Sequence, residues 1–135
     1  MTPPLPHQLF MEYGMDITKF KTMLADNVIG NMISYMGFFE EDEECPFTKA
    51  DVEKCGEILS RYLDSLAALS TPTDEKIMVC VQEAVLALNQ LNEDTDYAMI
   101  ETEERENIWA LIQSSAVEFG LQNYSDDITE EWREW

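Results

Sequence analysis

The segment Asn92-Glu93-Asp94-Thr95-Asp96-Tyr97-Ala98-Met99-Ile100-Glu101-Thr102-Glu103 places oxygen-bearing side chains at positions 1, 3, 5 and 12 of a twelve-residue stretch between two helical patterns. That is the ligand spacing of a helix-loop-helix calcium site, in which hard oxygens converge on one cation and a last carboxylate closes the shell. Such a loop also needs glycine at position 6 for its sharp turn, and here that position is Tyr97. Position 1 is Asn92 rather than Asp, and no second copy of the loop occurs. We therefore expect no metal or cofactor, with Asn92, Asp94, Asp96 and Glu103 the candidate ligands if a cation binds.

The next chemical cluster overlaps the first. Glu101, Glu103, Glu104 and Glu106 surround Arg105 within about two turns of a helix start. General acid-base work would need such groups in a dry cleft. The structural reading is stronger: Thr102 caps, the glutamates complement the positive helix end, and Arg105 ties the connection down through ion pairs or carbonyls. Glu101, Thr102 and Arg105 are accordingly read as a structural motif. Nucleophilic catalysis lacks its base, because the single histidine, His7, sits in a proline-rich stretch far from Cys45, Cys55 and Cys80. Five scattered glycines supply no phosphate loop.

Leu88-Asn89-Gln90-Leu91-Asn92-Glu93 followed by Ile100-Glu101-Thr102-Glu103-Glu104-Arg105-Glu106 resembles a signature, L-N-x-L-N-E then I-E-T-x-x-R-E, of a group of small bacterial helical proteins with no settled activity. The likeness covers only the junction of the last two core helices. It implies a bacterial origin and a helical fold, and assigns no catalytic or binding residue.

The elements that would position these residues follow from hydrophobic spacing. Residues 1–15 hold three of the five prolines and form an irregular tail, leaving 16–135 as one domain. Asp16 can cap a first helix with Ile17, Phe20, Leu24, Val28, Met32, Tyr35 and Met36 on its apolar side, ended by Gly37. Glu40-Glu41-Asp42-Glu43-Glu44 and Cys45-Pro46 oppose regular structure and make an exposed connection. Thr48 with Asp51 forms a capping box for a second helix with a stripe from Val52 to Leu69. A third helix is expected to start at Thr71-Pro72-Thr73-Asp74. Its stretch Ile77 to Leu88, polar only at Gln82 and Glu83, marks it as the central core element. A fourth runs from Thr102 to Gly120, and Ser125-Asp126-Asp127 opens a short last helix with Ile128, Trp132 and Trp135 on one side. The expected fold is all-α: an antiparallel bundle of four main helices plus a short C-terminal helix.

Charge sets the class of partner. The 28 acidic and 8 basic residues among 135 give a net charge of −20, far beyond what solubility requires. That field disfavours nucleic acid and anionic membrane surfaces, and no basic patch with interleaved aromatics offsets it. Unpaired cysteines and the lack of a secretory signal or a membrane-spanning run point to the cytoplasm. The functional expectation is a non-enzymatic acidic domain that binds and neutralises a basic protein, in the manner of an immunity protein. Glu40, Glu41, Asp42, Glu43 and Glu44, together with Asp126, Asp127, Glu130, Glu131 and Trp132, are its expected contact residues. Two alternatives stand beside it: a metal-dependent or carboxylate-using enzyme centred on Asp94, Asp96, Glu103 and Glu104, and a structural subunit of a homo-oligomer.

Overall fold

Phe20, Leu24, Val28 and Met32 lie four residues apart, and all four are buried. At 3.6 residues per turn each such step drifts by about 40°, so a regular helix would rotate the last of them well away from the first. The helix removes the drift by widening. In the computed structural model, which describes residues 16–39 and 44–135, α1 is α-helical over Asp16–Met23, π-helical over Leu24–Ile29 and α-helical again over Gly30–Met36. Gly30 closes the wide turn by donating its N–H to the Ala25 carbonyl. A Cβ there would stand 3.2 Å from that same oxygen, so the return to α geometry leaves little room for a side chain.

Helix α2, Lys49–Ala67, starts at the expected capping box. The Asp51 N–H donates to Thr48 Oγ1 at 3.1 Å, and the Thr48 N–H donates to Asp51 Oδ2 at 2.8 Å. Its inner face carries Val52, Cys55, Leu59, Tyr62, Leu63 and Leu66. Tyr62 keeps its hydroxyl satisfied inside the core, donating to the Ile112 carbonyl at 3.0 Å and lying 2.9 Å from Ser115 Oγ.

Helix α3, Asp74–Asp94, begins later than the proline suggested. Thr73 is the cap, accepting from the Lys76 N–H at 3.2 Å, and Pro72 stays outside. This register sets Asp74 and Glu75 against the positive helix end. Helix α3 packs on α2, on the fourth helix and on the C-terminal segment, yet it is not fully enclosed as expected: Val79 and Leu86 are 52% and 47% exposed. Helix α4, Thr102–Glu118, ends as its glycine foretold. Gly120 adopts φ 123°, its N–H bonds to the Val117 carbonyl and the Leu121 N–H reaches back to Ala116, the paired pattern that satisfies terminal carbonyls.

Among the described residues there are four helices and no strand. Helix α1 packs on α2 and α4, and α3 on α2 and α4. Polar contacts join helix starts to helix ends: Lys21 on α1 with Asp64 on α2 at 3.0 Å, Lys19 on α1 with Glu118 on α4 at 3.2 Å, and Asp74 on α3 with the residues just after α4. None of these helices is long and apolar enough to cross a membrane.

The short C-terminal helix expected from Ser125 does not form. Residues 121–135 are a strap laid along α3 and α4, with a turn over 128–132. Side chains of other helices instead clamp the segment near both ends. The Ile128 N–H goes to Gln113 Oε1 on α4 at 3.0 Å, and the Glu134 N–H goes to Asn89 Oδ1 on α3 at 3.0 Å. Ile128 and Trp135 are nevertheless buried and Trp132 packs partly into the core, so the apolar spacing served burial without a helix.

Candidate functional site

The candidate calcium loop is a tight helix-to-helix turn. Asn92 lies within α3, buried, and its Oδ1 accepts the Ile100 N–H at 3.0 Å. Its backbone carbonyl accepts from Thr95 Oγ1 at 3.0 Å and from the Tyr97 N–H at 2.6 Å. Asp94, also helical, accepts from Gln90 Nε2 at 2.9 Å. The chain reverses through Asp96 and Tyr97, which hold φ 58° and 62° in the left-handed region where a bulky side chain is strained. The turn needed positive φ as the motif implied, yet used Asp-Tyr rather than glycine to obtain it. Among the described residues no three His, Cys, Asp or Glu side chains gather as a metal would require. Asn92, Asp94, Asp96 and Glu103 are therefore not brought together as a ligand set.

At the start of α4 the cap is Glu101, one residue earlier than expected, and Thr102 is the first helical residue. The Glu101 N–H donates to Glu104 Oε1 at 3.0 Å. Arg105 does not tie the connection down with an ion pair. Among the described residues its guanidinium makes no salt bridge or hydrogen bond, and it lines an open cleft with Glu106, Trp109, Asp126 and Asp127. Glu101, Glu103 and Glu106 are exposed to water, which is the opposite of the enclosed setting that acid-base chemistry needs.

Taken as a surface, this end of the molecule has a definite character. From Glu93 to Glu106 there are seven carboxylates and one cation, Arg105. Tyr97 stands in the middle of them, 56% exposed on a turn fixed by buried hydrogen bonds. At the opposite end Lys19 and Lys21 pair with Glu118 and Asp64, so the acidic excess there is partly answered.

The expected contact residues divide. Glu40, Glu41, Asp42 and Glu43 lie outside the described residues, while Glu44 is exposed. Asp126, Glu130 and Glu131 on the strap are exposed. Asp127 and Trp132 are built into the strap instead. Asp127 accepts from the Thr129 N–H at 2.9 Å and from the Arg133 guanidinium at 3.1 and 3.2 Å. Partial burial works to raise its carboxyl, but the Thr129 and Arg133 donors outweigh this and hold it below the usual range. The Trp132 carbonyl accepts from Asn89 Nδ2 at 2.9 Å.

Sequence reading missed the residues that hold this region in shape. Asn89, Asn92 and Gln113 are amides whose spacing in the chain says nothing about the segment each clamps. Tyr97 carried a signal, since a turn position that calls for glycine but holds an aromatic residue invites the question of what that side chain does. Compared with protein-family models, with characterised proteins and with solved structures, the chain matches none.

Proposed function

We propose that this chain is a cytoplasmic, non-enzymatic binding domain, an antiparallel four-helix bundle whose acidic α3–α4 end docks a basic protein. The observation that carries the reading is the run from Glu93 to Glu106, which holds seven carboxylates and one cation, Arg105, and presents Tyr97 exposed at its turn, with Lys54 and Arg61 of α2 beside Asp94. A fixed turn presenting one large aromatic side chain within a predominantly acidic segment combines an anchor with long-range steering. Arg and Lys side chains of a partner suit both elements, through charge and through the Tyr97 ring face. The exposed Asp126, Glu130 and Glu131 extend the same field along the strap. The free thiols of Cys45, Cys55 and Cys80 agree with a reducing compartment.

The experiment is a co-precipitation from the source cell at low and high salt, run in parallel with the variant Glu93→Gln/Asp96→Asn/Glu103→Gln/Glu106→Gln. These four side chains are exposed, and Asn is at ease in the backbone conformation of Asp96. A basic protein retained at low salt by the wild type, released at high salt and not retained by the variant is the expected result. Equal recovery by wild type and variant, or recovery of no basic protein, overturns the reading.

A further inference from the structure

Beyond the cap of α4, where the Leu121 N–H bonds to the Ala116 carbonyl, the hydrogen bonds that fasten the segment to the helices all involve side chains, and Ile128, Trp132 and Trp135 add apolar burial. Asp74 on α3 accepts from the Gln122 N–H at 2.8 Å, the Asn123 N–H at 3.1 Å and Asn123 Nδ2 at 2.9 Å. Trp109 and Gln113 on α4 hold the Asp126 and Ser125 carbonyls at 3.2 and 2.9 Å, and Asn89 on α3 holds the Trp132 carbonyl and the Glu134 N–H. No helical ladder runs through the strap, so it can leave without breaking one. We propose that residues 121–135 are a latch that docks and releases as a unit, fastened at its start by the Asp74 carboxylate and shaped near its end by the Asp127–Arg133 bridge, so that protonating these two carboxylates undocks it while the four helices stay folded.

The two parts respond to acid in opposite senses. Donation by the Gln122 backbone, then by the Asn123 side chain and backbone, keeps the Asp74 carboxyl below its ordinary range, and Asp127 is lowered on balance as described above. A carboxylate lowered in the docked state contributes to docking above the ordinary value of about 4, and that contribution is lost as pH falls through its own lower value. Acid also removes the mutual repulsion behind the net charge of −20, which favours the compact helices, whereas on the strap the same relief works against the loss of the two carboxylate contacts. The charged groups around Asp127 are Asp126, Glu130, Glu131 and Arg133 on the strap and Arg105 and Glu106 on α4. Near Asp74 the sequence places Glu75 and Lys76 on α3 and, at the end of α4, Glu118, which is paired with Lys19 of α1. Undocking exposes Ile128 and Trp135, both buried in the docked state.

The tryptophans make this measurable in the full chain. Trp132 and Trp135 belong to the strap, and the Trp109 indole donates to it, so all three of the protein's tryptophans report on docking. Tryptophan emission and far-ultraviolet circular dichroism are followed together from neutral pH to about pH 1.5, well below the ordinary carboxylate range. The expected result is a red shift of emission with the helical signal retained, and loss of amide exchange protection at Gln122, Asn123 and Ile128 over the same range. In Asp74→Ala, which removes both acceptor oxygens, the Gln122 and Asn123 amides are expected to lose protection already at neutral pH. Unchanged emission down to that acidity, or emission and helix lost in one transition, overturns the proposal even if the variant fails to fold.

Discussion

Replacing Asn92 with Ala tests whether the α3–α4 turn is held by buried hydrogen bonding or by a cation. The side chain is 3% exposed and its Oδ1 takes the N–H of Ile100, itself 4% exposed, at 3.0 Å. Alanine leaves that donor buried without a partner, at a cost of about 1–3 kcal/mol. A mid-range loss of about 2 kcal/mol, set against an unfolding entropy of about 2.1 cal/mol/K per residue over a chain of this length, lowers Tm by about 7 °C. Thermal and urea unfolding followed by circular dichroism measure it, with and without added Ca²⁺. The same loss is expected in both conditions. A change under about 0.5 kcal/mol, the scatter of an ordinary surface substitution, refutes the buried-bond argument. A loss that appears only with Ca²⁺ present refutes the assignment of Asn92 to the turn.

Tyr97→Gly relieves a left-handed conformation worth about 1–2 kcal/mol and gives back about 0.5–1 kcal/mol in chain entropy, so a small net gain in stability is expected by urea unfolding. The same variant is expected to bind the basic partner more weakly, and unchanged affinity would remove the anchor role. Tyr62→Phe removes the bonds to the Ile112 carbonyl and Ser115 Oγ, while Ser115 keeps its own 3.1 Å bond to Ile112. No donor is orphaned, so a loss near 1 kcal/mol is expected in the same assay. Thiol labelling of the native protein at mildly alkaline pH is expected to modify Cys45 first, since it is only half-buried. Burial pushes the Cys55 thiol up to about 12 and, with Glu83 beside it, raises Cys80, so both should resist until the chain unfolds; rapid labelling of Cys55, read by peptide mass, would contradict its place in the core.

Helix identity was legible because apolar spacing and capping chemistry are local. Thr48 with Asp51 and the Gly120 terminator acted where their residue types implied. The π-helical turn was also written in the chain, as the unbroken four-residue spacing of Phe20, Leu24, Val28 and Met32, but a tolerance for mixed three- and four-residue steps hides it. The last segment has a real apolar periodicity, but its course is held by Gln113 and Asn89 from other helices, which no local pattern records. The acidic junction was visible as a cluster. Its character as a surface rather than a ligand cage emerged only when the fold put Asn92 inside and Tyr97 outside.

The central claim is that the charged α3–α4 end steers a basic partner onto Tyr97. Its most direct test is the association rate of the co-precipitated basic protein as a function of ionic strength, for the wild type and for Glu93→Gln/Asp96→Asn/Glu103→Gln/Glu106→Gln. Steering through this end predicts a rate that falls steeply with added salt in the wild type, and a slower, flatter dependence in the variant. A wild-type rate indifferent to salt, or a variant with the wild-type slope, would contradict it.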